Sequence, residues 1–210
     1  MKITALKIQA RNQSRVNVYV DGSYSFSLDI AQVSQLNVKT NCDYSAQQIA
    51  ELQSEGEFSK LYARALEYSL VRPRSSKELK DYLYRKTRPV KLKTGATRPG
   101  YRQEAASRVF ERLSSKGYLN DQRFARYWVE NRNINKGIST RKLRFELMAK
   151  GVDSLVIDEA LREINRDELE DIRKVIERKQ KRYPDEQKFI AYLARQGFSY
   201  DDIKEALNIS

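Results

Sequence analysis

Histidine is absent from the 210-residue sequence, and cysteine occurs once, as Cys42. Without histidine the chain cannot build a His–Cys zinc cluster, a Ser–His or Cys–His nucleophile pair, or a histidine general base. One cysteine cannot form an internal disulfide, so a reducing compartment is favoured and we expect a cytoplasmic protein. No apolar run approaches the roughly 18 residues of a membrane span, and we expect no signal peptide and no membrane partner.

Reactive constellations are also lacking. The acidic clusters, Glu168 with Glu170 and Asp171, and Asp201 with Asp202, lie at predicted helix starts, where the helix dipole favours carboxylates. No glycine-rich phosphate loop occurs. We therefore predict a protein that is not an enzyme and has no catalytic residue, metal or cofactor.

Positive charge is abundant and unevenly spread. The formal net charge is +12, and residues 57–120 hold sixteen basic and six acidic side chains. Residues 1–56 and residues 166–210 are each neutral, and residues 121–165 carry a net charge of +2. A concentrated excess favours a polyanionic partner, above all nucleic acid, over a merely solvated basic face, which stays open as the alternative.

The first part of the chain has the alternation of β-strands. Valine alternates with other residues at positions 16, 18 and 20, and Asp21-Gly22 follows as a hairpin turn. The pattern predicts a three-stranded antiparallel sheet over Met1 to Leu28. Residues 37–44 are interpreted as a turn. The sheet would serve as a stability cap or as a docking surface.

Helical spacing begins at Asp29, and only eight Gly and four Pro are present, which favours helices. Gly56 is expected to end a helix that starts at Ser45, so residues 1–56 form the N-terminal part. Three-helix units follow at residues 57–119, 120–165 and 166–210. Their middle helices align as Ser75–Leu79–Leu83, Ser139–Leu143–Leu147 and Asp185–Phe189–Leu193. The predicted fold is mainly α, with tandem three-helix repeats stacked into an elongated arm behind a small N-terminal antiparallel sheet.

A capped helix starts at the centre of the basic region. Pro73 stops one helix, and Ser75 with Glu78 forms a capping box for the next. The linker from Thr87 to Tyr101 contains two prolines, two glycines, four basic residues and no acid. It cannot be one regular element, so it is either disordered or a mobile basic finger.

Basic residues and tyrosines alternate through this region in a manner suited to DNA. Lysine and arginine can follow phosphates, while Tyr82, Tyr84 and Tyr101 can stack on exposed bases. The basic helix carries no Asn or Gln to read base edges, which favours backbone recognition. The candidate DNA-binding residues are Arg72, Arg74, Lys77, Lys80, Arg85, Lys86, Arg88, Lys91, Lys93, Arg98 and Arg102.

Four ordered motifs resemble those of the RecX family, the regulators of the RecA recombinase. The first motif is Arg72-Pro73-Arg74-Ser75 with Glu78-Leu79 and Tyr82-Leu83, and the second is Gly117-Tyr118-Leu119-Asn120-Asp121 with Phe124-Ala125 and Trp128-Val129-Glu130-Asn131-Arg132. The third motif is Leu143 and Glu146-Leu147 with Lys150-Gly151-Val152. The fourth motif is Tyr192-Leu193 with Arg195-Gln196-Gly197-Phe198 and Tyr200-Asp201-Asp202-Ile203. Val18-Tyr19-Val20-Asp21-Gly22 resembles the β-bearing extension of some members. The Thr87–Tyr101 insertion departs from the usual short connection.

The resemblance implies a function in homologous recombination, DNA repair and the SOS response. It implies binding in the groove of the RecA–single-stranded DNA filament and inhibition of RecA ATPase, coprotease and strand-exchange activities, by blocking growth or promoting disassembly. We expect a monomer that contacts single-stranded DNA, with double-stranded DNA as a further target. The mixed charges of the later units suit a protein partner, with Arg126, Arg132 and Lys142 as candidates.

Two other functions are alternatives to this one. Three-helix units with capped second helices resemble helix-turn-helix modules, so a stand-alone transcription factor is the main alternative. An enzyme that depends on a polyanion is the weaker one.

Overall fold

The computed structural model describes residues 1–209. The chain divides into two compact units. The first contains Met1–Arg72 and Leu79–Tyr118, and the second contains Pro73–Glu78 and the residues from Leu119 onward. The chain therefore passes from one unit to the other after Arg72, after Glu78 and after Tyr118.

The first unit begins with a four-stranded antiparallel sheet in the order β3-β2-β1-β4. Its strands are β1 (Lys2–Ile8), β2 (Arg15–Val20), β3 (Ser23–Asp29) and β4 (Cys42–Asp43). The prediction of three strands was incomplete, because β4 lies in the segment interpreted as a turn. Its two residues pair with Ile3 and Lys2 at the sheet edge, and a strand this short leaves no alternation to detect.

The predicted hairpin turn is confirmed. Asp21 has φ 48° and Gly22 has φ 84°, so both central residues take the positive values of a type I′ turn. Val16, Val18 and Val20 are buried as their alternation requires. The sheet packs its inner face on apolar residues of the following helix, including Ile49.

Helices α1 (Ile30–Gln35) and α2 (Ala46–Leu70) follow the sheet. The prediction that Gly56 breaks the chain into two helices is wrong, since α2 continues through it. A Cβ at Gly56 would collide with the main-chain oxygen of Ser27 on β3. The glycine therefore lets the helix backbone approach the sheet, and the close contact offsets its poor helix propensity.

A buried arginine secures the same contact between α2 and the sheet. The Arg15 guanidinium donates to Asp29 Oδ1 at 2.6 Å, to the Ser27 carbonyl at 2.8 Å and to the Gly56 carbonyl at 3.1 Å. It also donates to Ser59 Oγ at 3.1 Å. Arg15 is only 6% exposed, so these partners supply the hydrogen bonds that water cannot.

The basic linker is an ordered hairpin between α3 (Ser76–Thr87) and α4 (Gln103–Ser115). Strands β5 (Val90–Lys91) and β6 (Thr97–Arg98) pair antiparallel. The hairpin closes at its base, where the Tyr101 N–H donates to the Lys86 carbonyl at 3.0 Å. A Cβ at Gly100 would collide with the Thr87 backbone, so this glycine allows the two ends to meet. Of the two alternatives for the linker, the basic finger agrees with this hairpin, and the mobility predicted for it stays a prediction.

The second unit consists of two successive sets of three helices. The first set is α5 (Asp121–Asn131), α6 (Thr140–Ala149) and α7 (Ser154–Glu163). The second is α8 (Glu168–Lys179), α9 (Glu186–Arg195) and α10 (Tyr200–Leu207), with a 3₁₀ turn at Gln180–Arg182. The predicted mainly α fold with a small N-terminal sheet and three-helix repeats is confirmed. The exact division at residues 56, 119 and 165 stays a prediction.

Each set has its own apolar core. Phe124, Leu143 and Leu147 are fully buried in the core of the first set. In the core of the second set, Phe189 corresponds to Leu143 and Leu193 corresponds to Leu147. Among the helices of residues 1–209, none is long and apolar enough to cross a membrane.

A buried ion pair links the two sets. Arg166 forms a bidentate pair with Asp171, with Nη2–Oδ1 at 2.7 Å and Nε–Oδ2 at 2.9 Å. Arg166 Nη1 also donates to the carbonyl oxygens of Val129 and Arg132 at the end of α5, at 3.0 and 2.8 Å. The two charged side chains are only 8% and 3% exposed.

Candidate nucleic-acid interface

The first unit presents most of the predicted DNA-binding residues on its surface. Residues 88–98 contain four basic side chains and no acidic one, and all of these residues are exposed. Lys80 and Arg85 on α3 are also exposed, whereas Arg72 and Lys86 are half-buried. The hairpin is therefore an exposed segment whose own charged side chains are all positive.

Several of these cations lie over aromatic rings. Lys80 Nζ is 5.0 Å from the Phe110 ring centroid, and Arg88 Cζ is 5.6 Å from that of Tyr84. Such cation–π contacts orient a side chain without neutralising its charge. Arg102 differs, because its Nε lies 2.6 Å from Glu57 Oε2, which compensates its charge.

The tyrosines of this region fall into two groups. Tyr82 stacks on Tyr68 with 4.3 Å between ring centroids, and Lys86 Nζ lies 4.9 Å from its centroid. Burial raises the pKa of Tyr82. Tyr82 is therefore part of the packing between α2 and α3, while Tyr84 is 58% exposed and better placed to meet a base.

Sequence reasoning missed a pocket of about 340 Å³ beside the sheet, lined in part by Lys60, Arg98 and Tyr101. Burial, and then the positive charges of Arg64, Arg15 and Arg98, lower the pKa of Lys60. Glu57 also lines the pocket, so its charged lining has both signs, with lysine and arginine in excess, and Lys60 is a candidate anion contact. The only signal in the sequence for this pocket was the excess of basic residues in this part of the chain. Lys60 lies 20 residues before Lys80, so its position did not place it in the basic segment.

Arg74 and Lys77 belong to the second unit, with the first turn of α3. Arg74 is half-buried and Lys77 is exposed. A Cβ at Gly151 would lie 2.8 Å from Lys77 Cβ, so the Lys77 stem packs against this glycine. Lys77 therefore contributes to packing as well as to surface charge.

Two buried serines cap helices and join successive repeats. Ser75 Oγ accepts from the Glu78 N–H at 3.1 Å and donates to the Lys150 carbonyl at 2.8 Å. Ser139 Oγ does the same one repeat later, accepting from the Lys142 N–H at 3.2 Å and donating to the Gln196 carbonyl at 2.7 Å. The alignment predicted both helix starts but not the second bond of each hydroxyl.

The neighbouring contacts repeat as well. The Ser76 N–H donates to Asp121 Oδ1 at 2.8 Å, and the Thr140 N–H donates to Glu168 Oε1 at 3.1 Å. We call these two sets of contacts the first junction, around Ser75, and the second junction, around Ser139. Each carboxylate receives an orphan N–H at a helix start, where the dipole also favours it.

One position of the two junctions differs in charge. In the first, Lys150 Nζ pairs with Glu78 Oε1 at 2.8 Å. In the second, the corresponding contact joins Lys142 Nζ and the amide oxygen Oε1 of Gln196 at 2.6 Å. This one contact is thus neutral in the first junction and carries a net positive charge in the second.

The three residues predicted to face a protein partner all have partners within the chain. Arg126 pairs with Glu163 (Nε–Oε2 2.7 Å), Arg132 pairs with Glu146 (Nε–Oε2 2.7 Å), and Lys142 contacts Gln196. Hydrogen bonding to Glu146 raises the pKa of Arg132. Their assignment to a partner surface stays a prediction.

The fold and the site define a class: tandem three-helix repeats that follow a small sheet, with a basic hairpin and helix suited to a polyanion. Family models match three parts of the chain: the regulatory protein RecX N-terminal domain at residues 1–43, the second RecX three-helix domain at 120–161 and the third at 166–207.

Curated relatives agree with these matches. The regulatory protein RecX of Bacillus subtilis (strain 168) is 32% identical over 213 residues, covering 98% of this chain and 76% of that protein. RecX of Clostridium perfringens (strain 13 / Type A) is 28% identical, covering 95% of this chain and 92% of the relative. The chain belongs to the RecX family of regulatory proteins.

Solved structures share the fold. A crystal structure of regulatory protein RecX superposes with a TM-score of 0.64 at 22% identity, covering 99% of this chain and 98% of its own. The crystal structure of RecX from Lactobacillus salivarius gives a TM-score of 0.52 at 23% identity over 72% of this chain and 95% of its own.

Proposed function

We propose that this chain regulates RecA by binding the RecA–single-stranded DNA filament and inhibiting its ATPase, coprotease and strand-exchange activities. The protein acts in the cytoplasm as a monomer, through binding rather than catalysis, by blocking filament growth or promoting disassembly. The observation that carries the proposal is the exposed basic hairpin at residues 88–98, which contains no acidic residue, in a chain of the RecX family. A bound regulator shifts the filament equilibrium only if it favours the inhibited state over the growing one.

The DNA-facing role is proposed for the basic segment. The hairpin cations at residues 88–98 have no acidic residue among them, so phosphates are the counterions they would accept. Exposed Tyr84 beside Arg88 adds an aromatic surface for an unstacked base. All eleven predicted basic residues stay proposed DNA contacts, and Arg102, paired with Glu57, is expected to contribute least.

The RecA-facing role is proposed for the second unit, where charges of both signs alternate and many form pairs. Such a surface suits a protein that carries both signs better than it suits a polyanion. Arg126, Arg132 and Lys142 stay the proposed contacts. Arg126 is the cleanest one to test, because its side chain is 50% exposed while pairing with Glu163.

The test compares two variants in RecA ATPase time courses on single-stranded DNA at matched salt. In the first variant, the four hairpin cations Arg88, Lys91, Lys93 and Arg98 are changed to Gln. We expect weaker binding to bare single strands and a salt dependence flatter by about 0.7 for each phosphate that is no longer neutralised. Because the pairing of β5 with β6 uses main-chain groups, the hairpin is expected to persist.

In the second variant, Arg126→Glu, we expect bare-DNA affinity within a few-fold of wild type and weaker inhibition of RecA. Circular dichroism checks the fold of both variants. A wild-type protein that leaves RecA ATPase unchanged contradicts the proposed function. Binding to a single preferred duplex would instead indicate a transcription factor.

A further inference from the structure

A second basic site lies in the second unit. A pocket of about 170 Å³ opens at the second junction, where α6 meets α8 and α9. Its charged lining residues are Lys136, Lys142, Arg178 and Lys179, with no aspartate or glutamate among the lining residues. The net charges along the sequence do not indicate this cluster, because residues 121–165 carry only +2 and residues 166–210 are neutral as a whole.

The first junction provides an internal comparison. There, Glu78 neutralises Lys150, so the equivalent contact carries no net charge. In the second junction the amide of Gln196 accepts a hydrogen bond from Lys142 but contributes no negative charge. The equivalent contact is therefore a neutral ion pair in the first junction and a positively charged hydrogen-bonded pair in the second.

The lining groups are suited to hold an anion. Lys142 and Lys179 are half-buried, so their charges act in a medium that screens less than water. One Arg178 N–H donates to the Lys136 carbonyl at 2.8 Å, which fixes the guanidinium and leaves its other donors available. Burial raises the pKa of Tyr192, whose hydroxyl therefore stays protonated and able to donate.

The size of the pocket limits what it can accept. Pockets for drug-sized ligands usually measure about 300–1,000 Å³. A cavity of about 170 Å³ that combines lysines with an arginine suits a single phosphate group better than a whole nucleotide.

We propose that this pocket binds a phosphate group of a nucleic-acid backbone, giving the second unit its own DNA contact. The inference deepens the proposed function and rests on it for the source of the phosphate. Lys142, predicted from sequence to face a protein, would instead face DNA. The protein-facing assignment would then rest on Arg126 and Arg132.

The test transfers the ion pair of the first junction to the second. In the double variant Lys142→Glu with Gln196→Lys, a carboxylate and an ammonium replace the present hydrogen-bonded pair, so the contact between α6 and α9 is retained. The variant lowers the net charge by one. Lys181→Gln is the matched control, because it lowers the net charge equally at an exposed residue outside the pocket lining.

Binding is measured by fluorescence anisotropy with a labelled thymidine 12-mer over a salt series. We expect the double variant to bind several-fold more weakly than Lys181→Gln, with a salt slope smaller by about 0.7 because one phosphate fewer is neutralised. Circular dichroism and Trp128 fluorescence confirm folding. Equal affinity and slope for the double variant and the control would overturn the proposal.

Lysine acetylation read by mass spectrometry locates the contact in the wild-type protein. We expect the 12-mer to slow acetylation of Lys142 and Lys179 but not of Lys181, and an uncharged methylphosphonate 12-mer to slow none of them. Inorganic phosphate at the same phosphate concentration should protect weakly. If it protects as well as DNA, the site takes free phosphate and the nucleic-acid assignment is wrong.

The two proposals fail separately. If the hairpin variant loses DNA affinity and the double variant does not, only the pocket assignment is refuted. If the wild-type protein neither binds single strands nor inhibits RecA, the proposed function is refuted, and the inorganic phosphate measurement alone decides whether the pocket is an anion site.

Discussion

The buried pair between Arg166 and Asp171 allows a sharp test of how the repeats are held together. Arg166→Ala removes two hydrogen bonds to Asp171 and one each to the carbonyl oxygens of Val129 and Arg132. Asp171 is 2% exposed, so its charge would remain buried without its partner. Breaking a buried pair in this way costs about 3–5 kcal/mol, and the abandoned carbonyls favour the upper end of that range.

The chain contains a matched control. Arg126 and Glu163 also form a bidentate pair, with Nε–Oε2 at 2.7 Å and Nη2–Oε1 at 2.9 Å. These distances match those between Arg166 and Asp171. Their side chains are 50% and 42% exposed, against 8% and 3% for Arg166 and Asp171. An exposed pair contributes only about 0–1 kcal/mol. Arg126→Ala should therefore be nearly neutral, because burial rather than distance sets the cost.

Both variants are measured by urea unfolding, followed by circular dichroism and by the fluorescence of Trp128, the single tryptophan. The free energy of unfolding comes from linear extrapolation. Asp171→Ala and the double variant complete a mutant cycle, in which we expect a coupling of about 1–3 kcal/mol. Losses below about 1 kcal/mol for both Arg166→Ala and Arg126→Ala would refute the reasoning, since exposed pairs alone show that range.

Two further predictions concern single side chains. Because burial and neighbouring cations lower the pKa of Lys60, the charged lysine destabilises the fold, so Lys60→Met should raise the free energy of unfolding at pH 7. The folded state binds fewer protons than the unfolded state, so the stability of the wild type rises with pH. The advantage of Lys60→Met over the wild type should therefore shrink when urea unfolding is measured at alkaline pH. A variant less stable than the wild type at pH 7 would contradict the lowered pKa of Lys60 as a source of instability. Leu147 and Leu193 are both 0% exposed at aligned positions, so Leu→Ala at either should cost about 2–5 kcal/mol. Hydrogen exchange should show each loss first in its own repeat, and wild-type stability of both variants in urea would show that the alignment is wrong.

Local signals in the sequence were sufficient for most of the helical part. Ser139 and Asp153 cap their helices through side-chain bonds to main-chain N–H groups, as serine and aspartate commonly do. Gly151 and Gly197, placed after helix ends, have φ values of 75° and 96°. These features depend on neighbours within four or five residues, so they can be read from the chain directly.

The incorrect predictions concern segments whose secondary structure depends on contacts with residues far away in the sequence. Gly56 continues its helix because β3 lies against it, and β4 exists because β1 offers an edge for pairing. The hydrogen bonds of Arg15 to Gly56 and Ser59 span more than 40 residues. No pattern of local spacing contains this information.

The candidate site was predictable in composition but not in arrangement. Eight of the eleven basic residues are exposed, and their role as DNA contacts stays a prediction, whereas Tyr82 is engaged in packing. Lys60, Lys136, Arg178 and Lys179 were not singled out and Lys142 was assigned to a protein partner, because these cations come together from separate segments. The density of charge along the sequence can indicate a continuous basic segment, but it cannot indicate a basic pocket whose residues come from separate segments.

The two junction serines have a consequence for folding. Each hydroxyl both starts its own helix and bonds to the end of the corresponding helix in the next repeat. One hydroxyl therefore couples the stability of a helix start to the contact with the following repeat, and losing it removes both hydrogen bonds at once. The middle repeat takes part twice, once through the Lys150 carbonyl and once through Ser139. A substitution that destabilises the middle repeat should therefore weaken its contacts with both neighbouring repeats.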